Sequence, residues 1–534
     1  MDVDCISFRS TGFFSKLILD YLDQEEFVAS LYSNFPNLDG IKNQIKEKEN
    51  HFPAANREVL SCVLEKQYKN IKASKSTMQN IDALKETKTF TIVTGHQLNL
   101  FTGPLYFLYK IISTINLAKK IEEENPGYKI VPVYWMATED HDFEEINYFN
   151  FRGKKIQWNK EASGAVGKLN TDGLEEVFAI LEKELGTSKN ASYLKEVFKN
   201  AYLKQDTLTE ATRYLVNEFF KEYGLVIVDG DSKELKQNLI PYAKKDILDT
   251  IAFKEVSKTI EHIQQTSNQY TIQVNPREIN YFYLLEGVRE RIIEKEGLFY
   301  INNTELLFSK EELEKELNTY PERFSPNVIA RPLYQEVILP NLCYIGGGGE
   351  IAYWLELKNM FKAMEVPFPT LLLRNSVLLM KGKQKNKMDK MNLSIPDLFL
   401  KQNSLINKKI REISNINIDF TEQRNHLQEQ FANMYSLAEQ TDKSFLGAVK
   451  AQEIKQLKGL DALEKRLLKA QKIKLKDHVI RMSDLQNELF PNHSLQERNA
   501  NFSEFYLEYG EELIPKLISK LNPLLGNFSV LVMD

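Results

Sequence analysis

Two short apolar runs, each ending in polar residues and separated by an amphipathic helix, constrain this chain more than any other feature. Residues 90–93 run into Thr94-Gly95-His96-Gln97. After a loop, Thr102-Gly103-Pro104 opens a helix with Leu105, Leu108, Tyr109, Ile112 and Ile115 on one face. That three- and four-residue spacing marks a helix that packs on a sheet. Thr102 or Gly103 can cap it, and Pro104 fits a first turn, where a missing N–H costs nothing. The helix stops near Asn125-Pro126-Gly127, and residues 130–136 form the second run, which ends around Glu139-Asp140-His141-Asp142. Strand, helix and strand in this order predict an open α/β sheet. Ligands of such sheets bind outside the carboxyl ends of the strands.

At 534 residues the chain is too long for one ordinary core, and two to four domains are expected. Residues 1 to about 88 read as helical. Residues 148–223 read as a mostly helical insertion after a short polar segment. Residues 224–228 form another buried strand, and about 255–325 form a second insertion with strand-like pieces. From 325 the pattern is an extended segment, four glycines and a helix. Residues 368–373 read as a strand ending in Arg374-Asn375-Ser376. Composition shifts near 381, which divides the chain into a core, 1–380, and a C-terminal region, 381–534. The tract 381–390 reads as a hinge. Residues 442–482 hold no proline and predict a helix of about 40 residues, roughly 60 Å long. Such a helix outruns any single core and favours an imperfect antiparallel coiled-coil hairpin with 421–440. Residues 528–533 read as a last strand returning to the core.

A net charge of −5 argues against a dedicated nucleic-acid binder. No stretch has the eighteen apolar residues of a membrane span. Acids stand where a signal peptide needs a positive segment. The three cysteines form no C-x-x-C pair, and Cys62 and Cys343 are expected to be buried and inert. Together these features predict a cytoplasmic protein.

Three clusters carry chemistry. In the first, backbone N–H groups at the Gly103 helix terminus attract anions. There His96 can hydrogen-bond an anion or move a proton; the plain alternative is a satisfied loop histidine. In the second, His141 or Asp142 can act as a base, with Asp140 beside them. The alternatives are Mg²⁺ or Mn²⁺ ligation by Asp140, His141 and Asp142 or a solvated, acid-rich helix start. In the third, Gly346, Gly347, Gly348 and Gly349 precede Glu350, Tyr353 and Trp354. This loop is neither a Walker A motif nor G-x-G-x-x-G. Upstream Arg331 and Gln335, and downstream Arg374, can serve a carboxylate or phosphate there, and the two arginines can equally form structural ion pairs.

Taken together, TGHQLNLFTGPLYFLYK, VPVYWMATEDHDFEEIN, RPLYQEVILPNLCYIGGGGEIAYW, LLLRNSVLLM and SLQERNANFSEFYLEYG resemble the bacillithiol-biosynthesis BshC family of cysteine-adding ligases, in order and over nearly the full length. The resemblance implies a Rossmann-like core similar to class I aminoacyl-tRNA synthetases, with inserted connecting segments, and a C-terminal coiled-coil domain that supports a homodimer. It implies amide-bond formation between cysteine and glucosaminyl-malate, with no tightly bound cofactor and with ATP or ADP as the nucleotide. His96, Asp140, His141 and Asp142 become catalytic candidates. Thr94, Gly95, Gln97, Thr102, Gly103, Lys110, Arg331, Gly346, Gly347, Gly348, Gly349, Glu350, Tyr353, Trp354, Arg374, Asn375 and Ser376 become binding candidates, and no metal is assigned. Two competing classes remain: a non-catalytic dimeric scaffold of the same pathway, and a metal-dependent transferase or hydrolase built on the acidic cluster.

Overall fold

The computed structural model describes residues 2–266 and 269–533. Its centre is a five-stranded parallel sheet: β1 (Thr89–His96), β2 (Lys129–Met136), β3 (Val226–Asp229), β4 (Asn341–Gly346) and β5 (Thr370–Leu373). The order is β5-β4-β1-β2-β3. β1 is central and buried on both faces, which is why its sequence is nearly continuously apolar or β-branched. The chain builds outward from β1 through β2 to β3. It then crosses to the other flank of β1 for β4 and β5, so the direction of winding reverses between β1 and β4. At such a switch point the loops above two neighbouring strands diverge and leave a crevice.

Helix α1 (Tyr106–Glu124) makes the crossover from β1 to β2. It is buried on more than its apolar face, because the helix Leu513–Lys520 covers it. Asn116 Nδ2 donates to the carbonyls of Ile518 (2.9 Å) and Leu521 (2.6 Å) at the end of that helix. Helix α2 (Gly348–Leu355) follows β4 after the glycines.

Several expectations are corrected. Asp2–Ile6 is a strand in the segment expected to be helical. Residues 528–533 do form a strand, but it joins a separate three-stranded sheet. There it lies antiparallel to Asp2–Ile6 and parallel to Val377–Lys381. The polar segment after 148 is a hairpin, Tyr148–Phe151 with Lys154–Gln157. The second insertion carries an antiparallel five-stranded sheet whose longest strand, Val288–Lys295, has too many charges to read as a strand. The stretch read as extended contains the helix Ala330–Ile338, with Pro332 in its first turns. The supposed hinge is the helix Gly382–Lys390.

In the C-terminal region, α3 (Thr421–Ala438) and α4 (Lys443–Lys474) pack as a hairpin. Phe431, Ala438 and Val449 form its small core. Arg424 donates to Asp461 (2.7 Å) and Glu464 (2.9 Å), and Tyr435 donates to Glu453 (2.7 Å). α4 is shorter than expected. The chain turns at Leu475, and a second helix, Lys476–Leu489, folds back onto the body. Among the described residues no helix is long and apolar enough to cross a membrane.

Candidate active site

The crevice between the carboxyl ends of β1 and β4 is built around one buried lysine. Lys110, on the second turn of α1, donates 2.7 Å hydrogen bonds to both carboxylate oxygens of Glu350, and its Nζ also contacts the carbonyl of Gly95. Burial lowers the pKa of Lys110, and Glu350 works against that shift. Tyr344 Oη, at the end of β4, donates to Glu350 Oε2 (2.7 Å). Glu350 therefore accepts from α1 and β4 while keeping 28% of its side chain exposed to the crevice.

Arg331 sits above this cluster on the helix Ala330–Ile338. Its guanidinium lies 5.8, 5.7 and 6.0 Å from the ring centres of Trp135, Tyr344 and Trp354. It also interacts with Tyr353. One turn on, Gln335 Oε1 accepts from Arg331 Nη1 (3.0 Å). Gln335 Nε2 donates in turn to Glu336 (3.0 Å), which is paired with the buried Lys48 (2.8 Å). A buried polar chain thus runs from the N-terminal helix Leu38–His51 to the crevice.

Arg374, just after β5, donates from Nη2 to Glu497 (2.8 Å) and from Nη1 to the carbonyl of Asn375 (2.9 Å) and the hydroxyl of Ser376 (3.3 Å). Its guanidinium lies over the Tyr106 ring (4.9 Å).

His96 is the last residue of β1. Its ring packs against Tyr106 and Phe107, and its Nε2 is buried without a hydrogen-bond partner. Burial, reinforced by Lys110 and Arg374, holds its pKa well below the ordinary value. His96 is therefore a neutral ring and a weak base.

The acidic cluster after β2 divides into unlike parts. Glu139 is ion-paired with buried Lys236. Burial raises its pKa, and Lys236 opposes the rise. Asp140 is partly buried, which favours its neutral form, but hydrogen bonds from His141 and Gln97 win and bring it down to about 2. Gln97 Nε2 bridges Asp140 (2.9 Å) and Glu145 (3.0 Å), tying the end of β1 to the loop after β2. His141 and Asp142 are exposed. Asp140, His141 and Asp142 offer ligand atoms within 4.8 Å of one another. The second insertion, however, already supplies a cation there: Arg289, on the strand Val288–Lys295, has its Nη1 2.6 Å from His141 Nδ1.

The structure brings Gly95, Lys110, Arg331, Gly346, Gly347, Glu350, Tyr353 and Arg374 together at the crevice. It spends other candidates on packing. Thr94 Oγ1 donates to the carbonyl of Ile345 (2.8 Å) and ties β1 to β4. Trp354 is buried and stacks on Tyr344 (4.5 Å). Asn375 and Ser376 are buried, with Asn375 held by Ser113 (2.9 Å) and the carbonyl of Asn522 (3.0 Å). Gly348 and Gly349 border Ile18 and Gln273.

The anion-binding helix terminus expected at Thr102 and Gly103 is corrected. α1 begins only at Tyr106 and has no side-chain cap. Thr102 is buried, and the Leu105 N–H is taken by the carbonyl of Ala500 (2.8 Å). Cys343 is buried and pushed up to about 12, as an inert thiol would be, whereas Cys62 is exposed.

Tyr344, Glu497, Arg289 and Lys236 were not singled out in the sequence. Tyr344 and Glu497 lie inside motifs that carry the family resemblance. Arg289 and Lys236 have no local signal, because their partners lie 148 and 97 residues away.

Residues 1–375 match the bacillithiol biosynthesis BshC N-terminal Rossmann-like domain, and residues 377–533 match the BshC C-terminal coiled-coil domain. A Flavobacterium johnsoniae protein named "Putative cysteine ligase BshC" is 58% identical over 531 residues, covering 99% of this chain and 100% of that one. The protein of the same name from Christiangramia forsetii is 57% identical over 535 residues, covering 99% of each. That of Bacillus thuringiensis subsp. konkukian is 27% identical over 543 residues, covering 97% of this chain and 98% of its own. Matched along both parts and at more than half identity over its length, the chain belongs to the bacillithiol-biosynthesis BshC family.

Proposed function

We propose that this protein is a carbon–nitrogen ligase that joins the carboxyl group of cysteine to the amine of glucosaminyl-malate, completing bacillithiol. The observation that carries the reading is the charge balance of the β1/β4 crevice. Among the described residues, Lys110, Arg331 and Arg374 are met there by the carboxylates of Glu350 and Glu497. The surplus of positive charge favours an incoming carboxylate or phosphate, and burial strengthens that attraction. The partly exposed Glu350 is suited to the ammonium group of an amino acid.

In the reaction, a carboxylate oxygen of cysteine bonds to a phosphorus of ATP, and the phosphate or nucleotide part bound to that phosphorus leaves, giving an acyl–phosphate anhydride. The neutral sugar amine attacks the activated carbonyl, the C–N bond forms, the bond to the phosphate leaving group breaks, and one proton leaves the amine. Lys110 and Arg374 meet the negative charge that develops on carbonyl and phosphate oxygens. His141 or Asp142, exposed at the end of β2, is the proposed acceptor of that proton. A dimer paired through the α3/α4 hairpin completes the reading.

The test is purified protein incubated with cysteine, glucosaminyl-malate and ATP, with mass spectrometry for the thiol product. Lys110→Met is expected to slow product formation by about 10²–10³-fold in folded protein. Undiminished synthesis by that variant would sink the assignment.

A further inference from the structure

Residues 496–501 lie more than a hundred positions beyond β5, yet they hold the supports of the crevice. Gln496 pairs with Leu379 like a strand residue, accepting from its N–H and donating to its carbonyl, both at 2.9 Å. Glu497 is fully buried; one oxygen takes Arg374 Nη2 (2.8 Å) and the other takes the Val377 N–H (2.9 Å). Asn501, also fully buried, donates from Nδ2 to the carbonyls of Phe101 (2.9 Å) and Gly103 (2.7 Å).

These contacts fall on two sensitive places. The first is the loop between His96 and Lys110. Phe101, Thr102 and Gly103 have φ of 48°, 67° and 58°. Three successive left-handed residues, two of them not glycine, persist only when the surroundings over-determine them. Tyr202 holds the loop from the other side through the Phe101 N–H (2.8 Å). The second is Arg374. Its two terminal nitrogens are engaged, while Nε is buried with no partner and lies 3.7 Å from where a Cβ on Gly347 would stand. The absent side chain at Gly347 leaves that N–H facing the glycine loop.

We propose that Glu497 and Asn501 are positioning residues of the crevice: Glu497 fixes the Arg374 guanidinium with Nε toward Gly347, and Asn501 fixes the left-handed loop that delivers Lys110. The group Arg374 then meets is an oxyanion, carboxylate or phosphate. The site is a joint product of the Rossmann-like part and the C-terminal part. This inference rests on the reading of the crevice as the ligase centre.

The experiment compares Arg374→Ala, Glu497→Gln, Glu497→Asp and the double variant Arg374→Ala/Glu497→Gln in the full chain, measuring kcat and KM for cysteine and glucosaminyl-malate. Glu497→Gln is expected to lower kcat/KM by roughly a hundred-fold, the effect of a misplaced catalytic group. The double variant is expected to be no slower than Arg374→Ala, because the two act as one unit. Glu497→Asp keeps the charge but withdraws the carboxylate, so it stays slow if placement matters and recovers if charge alone matters. Full activity of Glu497→Gln, or recovery in Glu497→Asp, beside an inactive Arg374→Ala overturns the positioning role. A fully active Arg374→Ala overturns the crevice reading itself. If Glu497→Gln does not fold, Asn501→Ala decides: a fall of about ten-fold or more in kcat/KM in folded protein supports the proposal, and unchanged kinetics overturn it.

Discussion

Glu356, just past the end of α2, is a fully buried carboxyl group. Its Oε1 accepts from the Gln273 N–H (2.8 Å), while Oε2 has no partner. Burial raises its pKa to about 7, from an ordinary 4.5. Because the folded chain binds this proton more tightly than the unfolded chain, the stabilisation is complete below 4.5 and is lost as pH rises through about 7. Glu356→Gln removes that slope. Its unfolding free energy relative to the parent, read from urea denaturation, is expected to climb from about pH 5 to about pH 8, by an amount on the order of 1–3 kcal/mol. A difference that stays flat over this range would show that Glu356 does not titrate there. Nothing in EIAYWLEL marks this glutamate as buried, and Lys110 lies opposite the Leu105–Ile115 stripe of α1, where spacing alone reads a lysine as solvated. Its partner Glu350, 240 residues away, could not be named from spacing.

At the scale of elements, the loop from Leu98 to Leu105 decides how β1 hands over to α1. Gly103 adopts φ 58° and ψ −130°, and a Cβ there would lie 2.7 Å from that of Asn99. Gly103→Ala is expected to destabilise the protein by about 1–3 kcal/mol from backbone strain alone, read as a lower urea midpoint, and to slow product formation by displacing Lys110. A normal midpoint would mean the loop relaxes around the methyl group. The apolar periodicity of α1 and the β-branched run of β1 were legible because both follow from burial on one stripe or on two faces. The helix Ala330–Ile338 was not. Pro326, Pro332 and Pro340 make this stretch read as extended chain, although Pro332, within the helix's first turn, costs little. Only the helical form sets Arg331 and Gln335 one turn apart, where they meet.

For the whole molecule, the α3/α4 hairpin carries apolar residues that its own small core does not use. Leu437, Leu463 and Ile473 expose 61%, 52% and 69% of their surface. The proposed dimer takes these residues as its contact surface. Sedimentation velocity is therefore expected to show a dimer, and Leu463→Glu with Ile473→Glu to shift it to monomer. A parent chain that sediments as a monomer at micromolar concentrations would remove the dimer from the reading.

Local pattern was enough to determine the parallel α/β core and the long helical hairpin. Each of these follows from periodicity and turn chemistry within some twenty residues. Tertiary structure alone decided where the crevice lies. The sequence pointed to the ends of β1 and β2, because those strands are consecutive. The crossing of β4 to the far side of β1 moved the switch point to β1/β4 and brought Glu350, Arg331 and Tyr344 to Lys110. It also turned the expected anion-binding terminus at Gly103 inward, because residues 500 and 501 satisfy its backbone groups. The physical reason is the same in each case: the partners of a buried charge or an unpaired backbone group are set by proximity in space, and separations of a hundred to four hundred residues leave no periodic trace in the chain.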